Sequence, residues 1–182
     1  MALNFPDSPS IDDTYTFNNK TWTWNGTAWI SNIDSKANDN LIINGNFDIW
    51  QRGTSFTGGK YGADRWYNIP SGSSSTQSRQ AFTLGQTDVP NEPVYFCRTV
   101  VTSSAGAANF AVLTQRIEGV RTYANQAVTV SFWAKADANK NIAFELFQYF
   151  GTGGSPSAAV DAIGVTTCAL TTSWQKFTIT AN

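Results

Sequence analysis

Between Thr14 and Phe17, and again between Thr21 and Trp24, threonine alternates with an aromatic residue. A period of two puts every second side chain on one face of a strand. It fits no helix, where like-facing residues recur every three or four positions. Asn25-Gly26 follows at once, and that pair readily adopts the positive backbone angles of a tight hairpin turn. The run predicts a miniature β-meander with strands over 14–17, 21–24 and 28–31, turned at Asn18-Asn19 and at Asn25-Gly26. Pro6 and Pro9 lead into it in extended or turn conformation. Tyr15, Phe17, Trp22 and Trp24 then share one face, Thr14, Thr16, Thr21 and Thr23 the other, and Trp29 lies on the third strand.

The rest of the chain repeats this signature at larger scale. Residues 32–40 are polar and aperiodic, a linker or at most a short helix. Beyond them, short β-rich runs are separated by Gly, Ser, Asn and Pro. They predict strands over 41–50 (interrupted at Asn44-Gly45-Asn46), 63–67, 76–84, 94–102, 109–117, 128–136, 142–150, 163–170 and 174–180. Helical periodicity is absent. The expected architecture is all-β: a small meander over 1–31, a linker over 32–40, and a sandwich or jelly roll over 41–182.

A 31-residue module buries little surface. Units below about 40 residues usually need a disulfide, a metal or a partner. The module has neither cysteine nor histidine, so its aromatic face is expected to dock on another chain or on the second module. Tyr15, Phe17, Trp22, Trp24 and Trp29 are the candidate attachment residues.

Composition removes several function classes. No histidine occurs, which excludes His-based triads and the commonest metal ligand. Cys97 and Cys168 are far apart in sequence, unlike zinc ligands. They are either two buried thiols or one disulfide. Net charge is −1, so no general attraction to nucleic acid or anionic membrane is expected. The first residues lack the basic and apolar regions of a signal peptide.

Two strands carry the candidate binding surface. In 128–136, Val128, Val130, Phe132 and Ala134 share one face; Thr129, Ser131, Trp133 and Lys135 share the other. In 142–150, Phe144, Leu146, Gln148 and Phe150 oppose Glu145, Phe147 and Tyr149. The first face of each strand is expected to be core. The second mixes rings with charged groups, a combination that stacks on a sugar's apolar face and bonds its hydroxyls. Trp133, Lys135, Glu145, Phe147 and Tyr149 are the candidate glycan-binding residues, and burial against a neighbouring subunit is the alternative.

Four segments carry a resemblance: Asn40-Leu-Ile-Ile-Asn-Gly-Asn-Phe-Asp-Ile-Trp-Gln-Arg-Gly53, Tyr61-Gly-Ala-Asp-Arg-Trp-Tyr67, Val128-Thr-Val-Ser-Phe-Trp-Ala-Lys-Ala136 and Trp174-Gln-Lys-Phe-Thr-Ile-Thr180. Together they resemble the carbohydrate-binding jelly rolls of bacteriophage tail fibres. Asn4-Phe-Pro-Asp-Ser-Pro9 and Trp24-Asn-Gly-Thr-Ala-Trp29 are similar to short segments of marine phage virion proteins. The resemblance implies a virion protein made in the host cytoplasm, fixed to other tail proteins through residues 1–31. It further implies a homotrimer that contacts host surface glycan without inserting into membrane. Such jelly rolls continue beyond the Trp-x-x-Phe strand, so the domain is expected to be truncated or completed by another chain. They often hold a structural calcium, for which Asp48 is the matching acidic residue.

Catalysis is not expected. A glycosidase needs two carboxylates about 5–10 Å apart, and Asp48, Asp64, Glu92, Glu118, Asp137, Glu145 and Asp161 form no close motif. Glu145 is the residue to test. The Gly151–Pro156 segment lacks the Lys-Ser/Thr ending of a phosphate loop and reads as a flexible hairpin tip. A fibre or decoration protein without a receptor is the alternative function.

Overall fold

The computed structural model describes residues 4–17, 20–32, 40–103, 105–123 and 126–181. The chain is all-β. Among the described residues there is no helix, and so none long and apolar enough to cross a membrane. Two compact units divide at Leu41/Ile42. The turn expected at Asn18-Asn19 and linker residues 33–39 lie outside the described residues.

The first unit is an antiparallel meander of β1 (Thr14–Phe17), β2 (Lys20–Trp24) and β3 (Trp29–Asn32), in that order. Tyr15 pairs with Trp22, and Trp24 with Trp29, so the rings lie on one face as the alternation requires. The β2–β3 turn is tightened by Asn25, whose side-chain oxygen accepts the amides of Thr27 at 2.9 Å and Ala28 at 2.8 Å. Gly26 supplies the positive φ, +94°, that a side chain would oppose.

The second unit contains β4 (Ser55–Thr57), β5 (Trp66–Ser71), β6 (Ser74–Ala81), β7 (Tyr95–Thr102), β8 (Phe110–Gln115), β9 (Val128–Ala134), β10 (Lys140–Gln148), β11 (Val160–Leu170) and β12 (Gln175–Ala181). Their antiparallel ladders are β4-β6-β7, β5-β8, β12-β9 and β10-β11. Strand β4 was not foreseen, and β5 starts at Trp66 rather than Ala63.

The larger departure is at 41–50, which forms no strand. Asn44 and Phe47 take left-handed backbone angles, φ 54° and 58°. The Asn44 amide donates to the carbonyls of Ile49 at 3.0 Å and Asp64 at 3.1 Å, and its oxygen accepts the Ile49 amide at 3.0 Å. One asparagine thus satisfies the backbone locally and outcompetes the strand that Leu41, Ile42 and Ile43 would favour.

Two kinds of interior hold the second unit together. Around β11 and β12 it is apolar: Cys168, Leu170, Ile179 and Ala181 are buried, and Phe132 lies near Phe177 and Phe144. Around β5 and β6 it is polar: Asn68, Ser75 and Gln77 are each at most 1% exposed. Ser75 Oγ donates to Asn68 Oδ1 at 2.8 Å, and Asn68 Nδ2 donates to the Gly58 and Ser75 carbonyls. Gln77 has no hydrogen-bond partner for either side-chain atom. Both cysteines are free; Cys168 is buried and Cys97 half-buried.

Candidate functional site

The alternation of β10 divides its side chains as the sequence predicts. Phe144, Leu146 and Gln148 are half-buried, whereas Glu145, Phe147 and Tyr149 are exposed. Phe147 and Tyr149 each keep 57% of their surface open to solvent, and their rings stack 6.5 Å apart at 16°. Phe150 is exposed beside them, although the alternation assigns it to the inner face. It lies just past the strand end, where the period of two no longer binds it.

The partner strand is irregular at this place. Phe144 pairs with Thr166, Leu146 with Ile163, and Gln148 with Val160. Two residues advance on β10 for every three on β11, so two successive bulges stand opposite Glu145 and Phe147. Their backbones take positive φ at Gly164, +62°, and Ala162, +54°. Gly164 has a second reason to be glycine: a Cβ there would collide with Ala181. Bulges re-aim side chains, and a non-glycine residue at positive φ is held against its preference. Gly164, inside the strand expected over 163–170, is the one sequence signal of a bulge here; nothing in the sequence marks the bend at Ala162.

Trp133 and Lys135 do not join this group. They belong to the β9–β12 side: Trp133 pairs with Lys176 and is half-buried. The Lys135 ammonium sits 5.3 Å over the Trp174 ring, which packs with Phe82 and Phe96. The ring contact between β9 and β10 is Phe132 to Phe144, carried by the faces opposite to the candidate residues. The physical reason is pairing. β9 ladders with β12 and β10 with β11, so β9 and β10, though consecutive in the chain, are not neighbours in a sheet.

In the first unit, the aromatic face already carries a cover. The Phe5 ring lies 5.3 Å from Tyr15, 5.4 Å from Trp22 and stacks on Trp29 at 5.2 Å. Trp24 joins through Trp29 at 5.7 Å. Tyr15, Phe17, Trp22, Trp24 and Trp29 are all half-buried. Phe5 was missing from the sequence-derived set, since Phe5-Pro6 precedes the periodic run and has no place in it.

Asp48 is bonded through one carboxylate oxygen to the Asn46 amide, and its other oxygen is buried without a partner. Calcium takes roughly six to eight oxygens. Among the described residues no group of three or more carboxylate or cysteine side chains is close enough to hold a metal ion.

The other acidic candidates are spread out. Asp64 pairs with Arg52 at 3.0 Å and Glu118 with Arg65 at 2.7 Å, while Asp137 pairs with Lys140. The hydrogen bond from Arg65 holds the Glu118 carboxyl below its usual range, and Lys140 does the same for Asp137. Burial pushes the Cys97 thiol up to about 11, against a smaller lowering by its hydrogen bond to Thr99. At neutral pH that thiol is protonated and a poor nucleophile.

Comparison with protein-family models, with curated proteins and with solved structures finds no match to this chain.

Proposed function

We propose that the chain is a virion tail-fibre protein that attaches to host surface glycan, binding without cleaving. The observation that carries the binding half is the exposed, stacked Phe147–Tyr149 pair beside Glu145, opposite two bulges. Parallel rings offer π-faces to the apolar face of a pyranose, and a carboxylate within the same strand face can accept from its hydroxyls. The virion half rests on the sequence resemblance alone. In this reading the second unit is a jelly roll, the first unit joins other tail proteins, the protein is a homotrimer, and it resides in the virion.

A shallow site of this kind binds weakly. A millimolar constant corresponds to about 4 kcal/mol, and several copies on one particle can raise avidity roughly 100- to 10,000-fold. The test is a Phe147→Ala/Tyr149→Ala double variant measured on a glycan array and in a cell-adsorption assay. Lost binding with unchanged thermal unfolding supports the reading. A folded variant that binds as the parent does would sink it.

One observation favours a purely structural fibre. Val100, Val101, Phe110, Val112, Val160 and Val165 are all 40% exposed or more, as expected of strands that pack against neighbouring subunits. Oligomers that form readily but retain no glycan on the array would favour that alternative.

A further inference from the structure

A second surface, on the β5–β8 ladder, combines rings with arginines. Trp66 and Asn68 face inward: Asn68 is 1% exposed and the Trp66 indole donates to the Asn44 carbonyl at 3.0 Å. Tyr67 and Ile69 therefore face outward. On β8 their cross-strand partners are Thr114 and Val112, with Phe110 opposite Ser71. Tyr61 bridges to Tyr67, and the two rings meet edge to face at 4.8 Å. The Tyr67 hydroxyl is fixed by donating to the Gly59 carbonyl at 3.0 Å.

Two guanidiniums flank this pair. Arg52 lies 5.9 Å from the Tyr61 ring centre and Arg116 lies 5.9 Å from that of Tyr67. Their charge balance differs. Arg52 is neutralised by Asp64, and nearby Arg65 by Glu118. Arg116 has no carboxylate partner among the described residues. Its segment is nevertheless fastened, because Arg65, held at φ +75°, also donates to the Arg116 carbonyl at 3.3 Å. An exposed, unneutralised guanidinium over Tyr67, whose ring meets the more open Tyr61 ring (40% exposed) at 4.8 Å, is complementary to a planar anion carried on a ring with an apolar face.

We infer that this face binds a carboxylate-bearing saccharide, a uronate within a glycan chain. Arg116 takes the carboxylate, and Tyr61 receives the sugar's apolar face. Planar guanidinium and planar carboxylate match in a two-bond fork, which a rounder ammonium cannot reproduce. The inference stands apart from the Phe147–Tyr149 surface and does not need it.

The experiment uses the full chain and oligogalacturonate as probe, followed by calorimetry and by NMR of the tyrosine rings. Binding is expected to weaken at least tenfold in Arg116→Gln and in Tyr61→Ala, and to vanish for the carboxyl-reduced oligosaccharide. Arg116→Lys keeps the charge and loses the fork; it too is expected to weaken binding, and it serves if Arg116→Gln unfolds. Phe147→Ala/Tyr149→Ala is expected to bind the probe normally, so failure of the β10 reading and failure of this one are separable. The inference is overturned if the parent chain does not bind the probe, or if Arg116→Lys and Arg116→Gln bind it fully. Equal weakening by the remote Lys176→Gln, or binding of dextran sulfate alone, would also overturn it.

Discussion

The two units use their aromatic rings differently. The small one gathers its rings: Phe5, Tyr15, Trp22 and Trp29 form one contact cluster. The large one, with far more chain to build a core, leaves Phe147 and Tyr149 at 57% exposure while burying the amides of Asn68 and Gln77 beside its apolar core. Ring size explains the first. Aromatic side chains bury roughly 150–250 Å² each when covered, so four of them let about thirty residues gather a shared, half-buried ring cluster. Ladder order explains the second. Strands split among four separate sheets leave faces and edges that only a neighbour can cover.

The largest expected effect breaks the small cluster. Phe5→Ala removes the ring that touches three others and is expected to cost about 3 kcal/mol, enough to unfold a unit of that size. Three of the seven tryptophans, Trp22, Trp24 and Trp29, report on it. Their indole NMR signals should collapse while those of Trp50, Trp66, Trp133 and Trp174 persist. If all seven persist, Phe5 is a bystander and the cluster is held by the meander itself.

Next come the bulges behind the exposed rings. Gly164→Ala adds a Cβ at positive φ and against Ala181, with an expected cost of about 2–3 kcal/mol. Ala162→Gly, at the neighbouring bulge with φ +54°, is expected to be neutral or stabilising by about 1 kcal/mol, because left-handed backbone strains alanine and not glycine. Opposite signs in chemical denaturation would tie the Phe147 platform to a strained strand. Equal signs would mean that β11 relaxes at both bends.

The polar interior offers a finer contrast. Gln77→Met replaces a buried amide that has no partner and is expected to stabilise by about 1 kcal/mol; Asn68→Leu breaks three hydrogen bonds and is expected to destabilise by about 2 kcal/mol. Destabilisation by both would mean that Gln77 is satisfied by enclosed water, a result that Gln77→Glu could test further.

The last contrast is one of pH. The Cys97 thiol is raised in the folded chain from 9.0 to about 11. The folded state then holds a proton that the unfolded state releases, so the contribution is complete below pH 9 and is lost as pH rises toward 11. Urea midpoints in the parent chain should fall across that window more than in Cys97→Ala. The paired carboxylates act in the opposite direction. Glu118 and Asp137 are lowered by Arg65 and Lys140, and what they contribute disappears only as pH falls through the carboxylate range. Both are exposed, so the loss is slight.

Much of the chain was legible as sequence because alternation is a local property. Thr14–Phe17 is a strand at the positions the pattern marks, and the split of β10 into Phe144/Leu146/Gln148 and Glu145/Phe147 follows from the pleat alone. Local chemistry also misled, at Leu41–Trp50, where apolar residues speak for a strand and Asn44 holds the backbone in another conformation. Strand propensity says nothing of which side-chain amide will reach which carbonyl.

What the sequence determined by itself was the all-β class, the meander with its aromatic face, and the inward and outward residues of the regular strands, all set within a few residues by φ/ψ preference and period. Only the tertiary structure decided that Trp133 and Lys135 part company with Phe147 and Tyr149, and that Phe5 covers the meander's rings. It alone brought Arg116 over Tyr67, far away in the chain, beside the local Arg52–Tyr61 contact. Those juxtapositions depend on which strand pairs with which, and pairing is settled by the combined burial of many distant side chains rather than by any window of the chain.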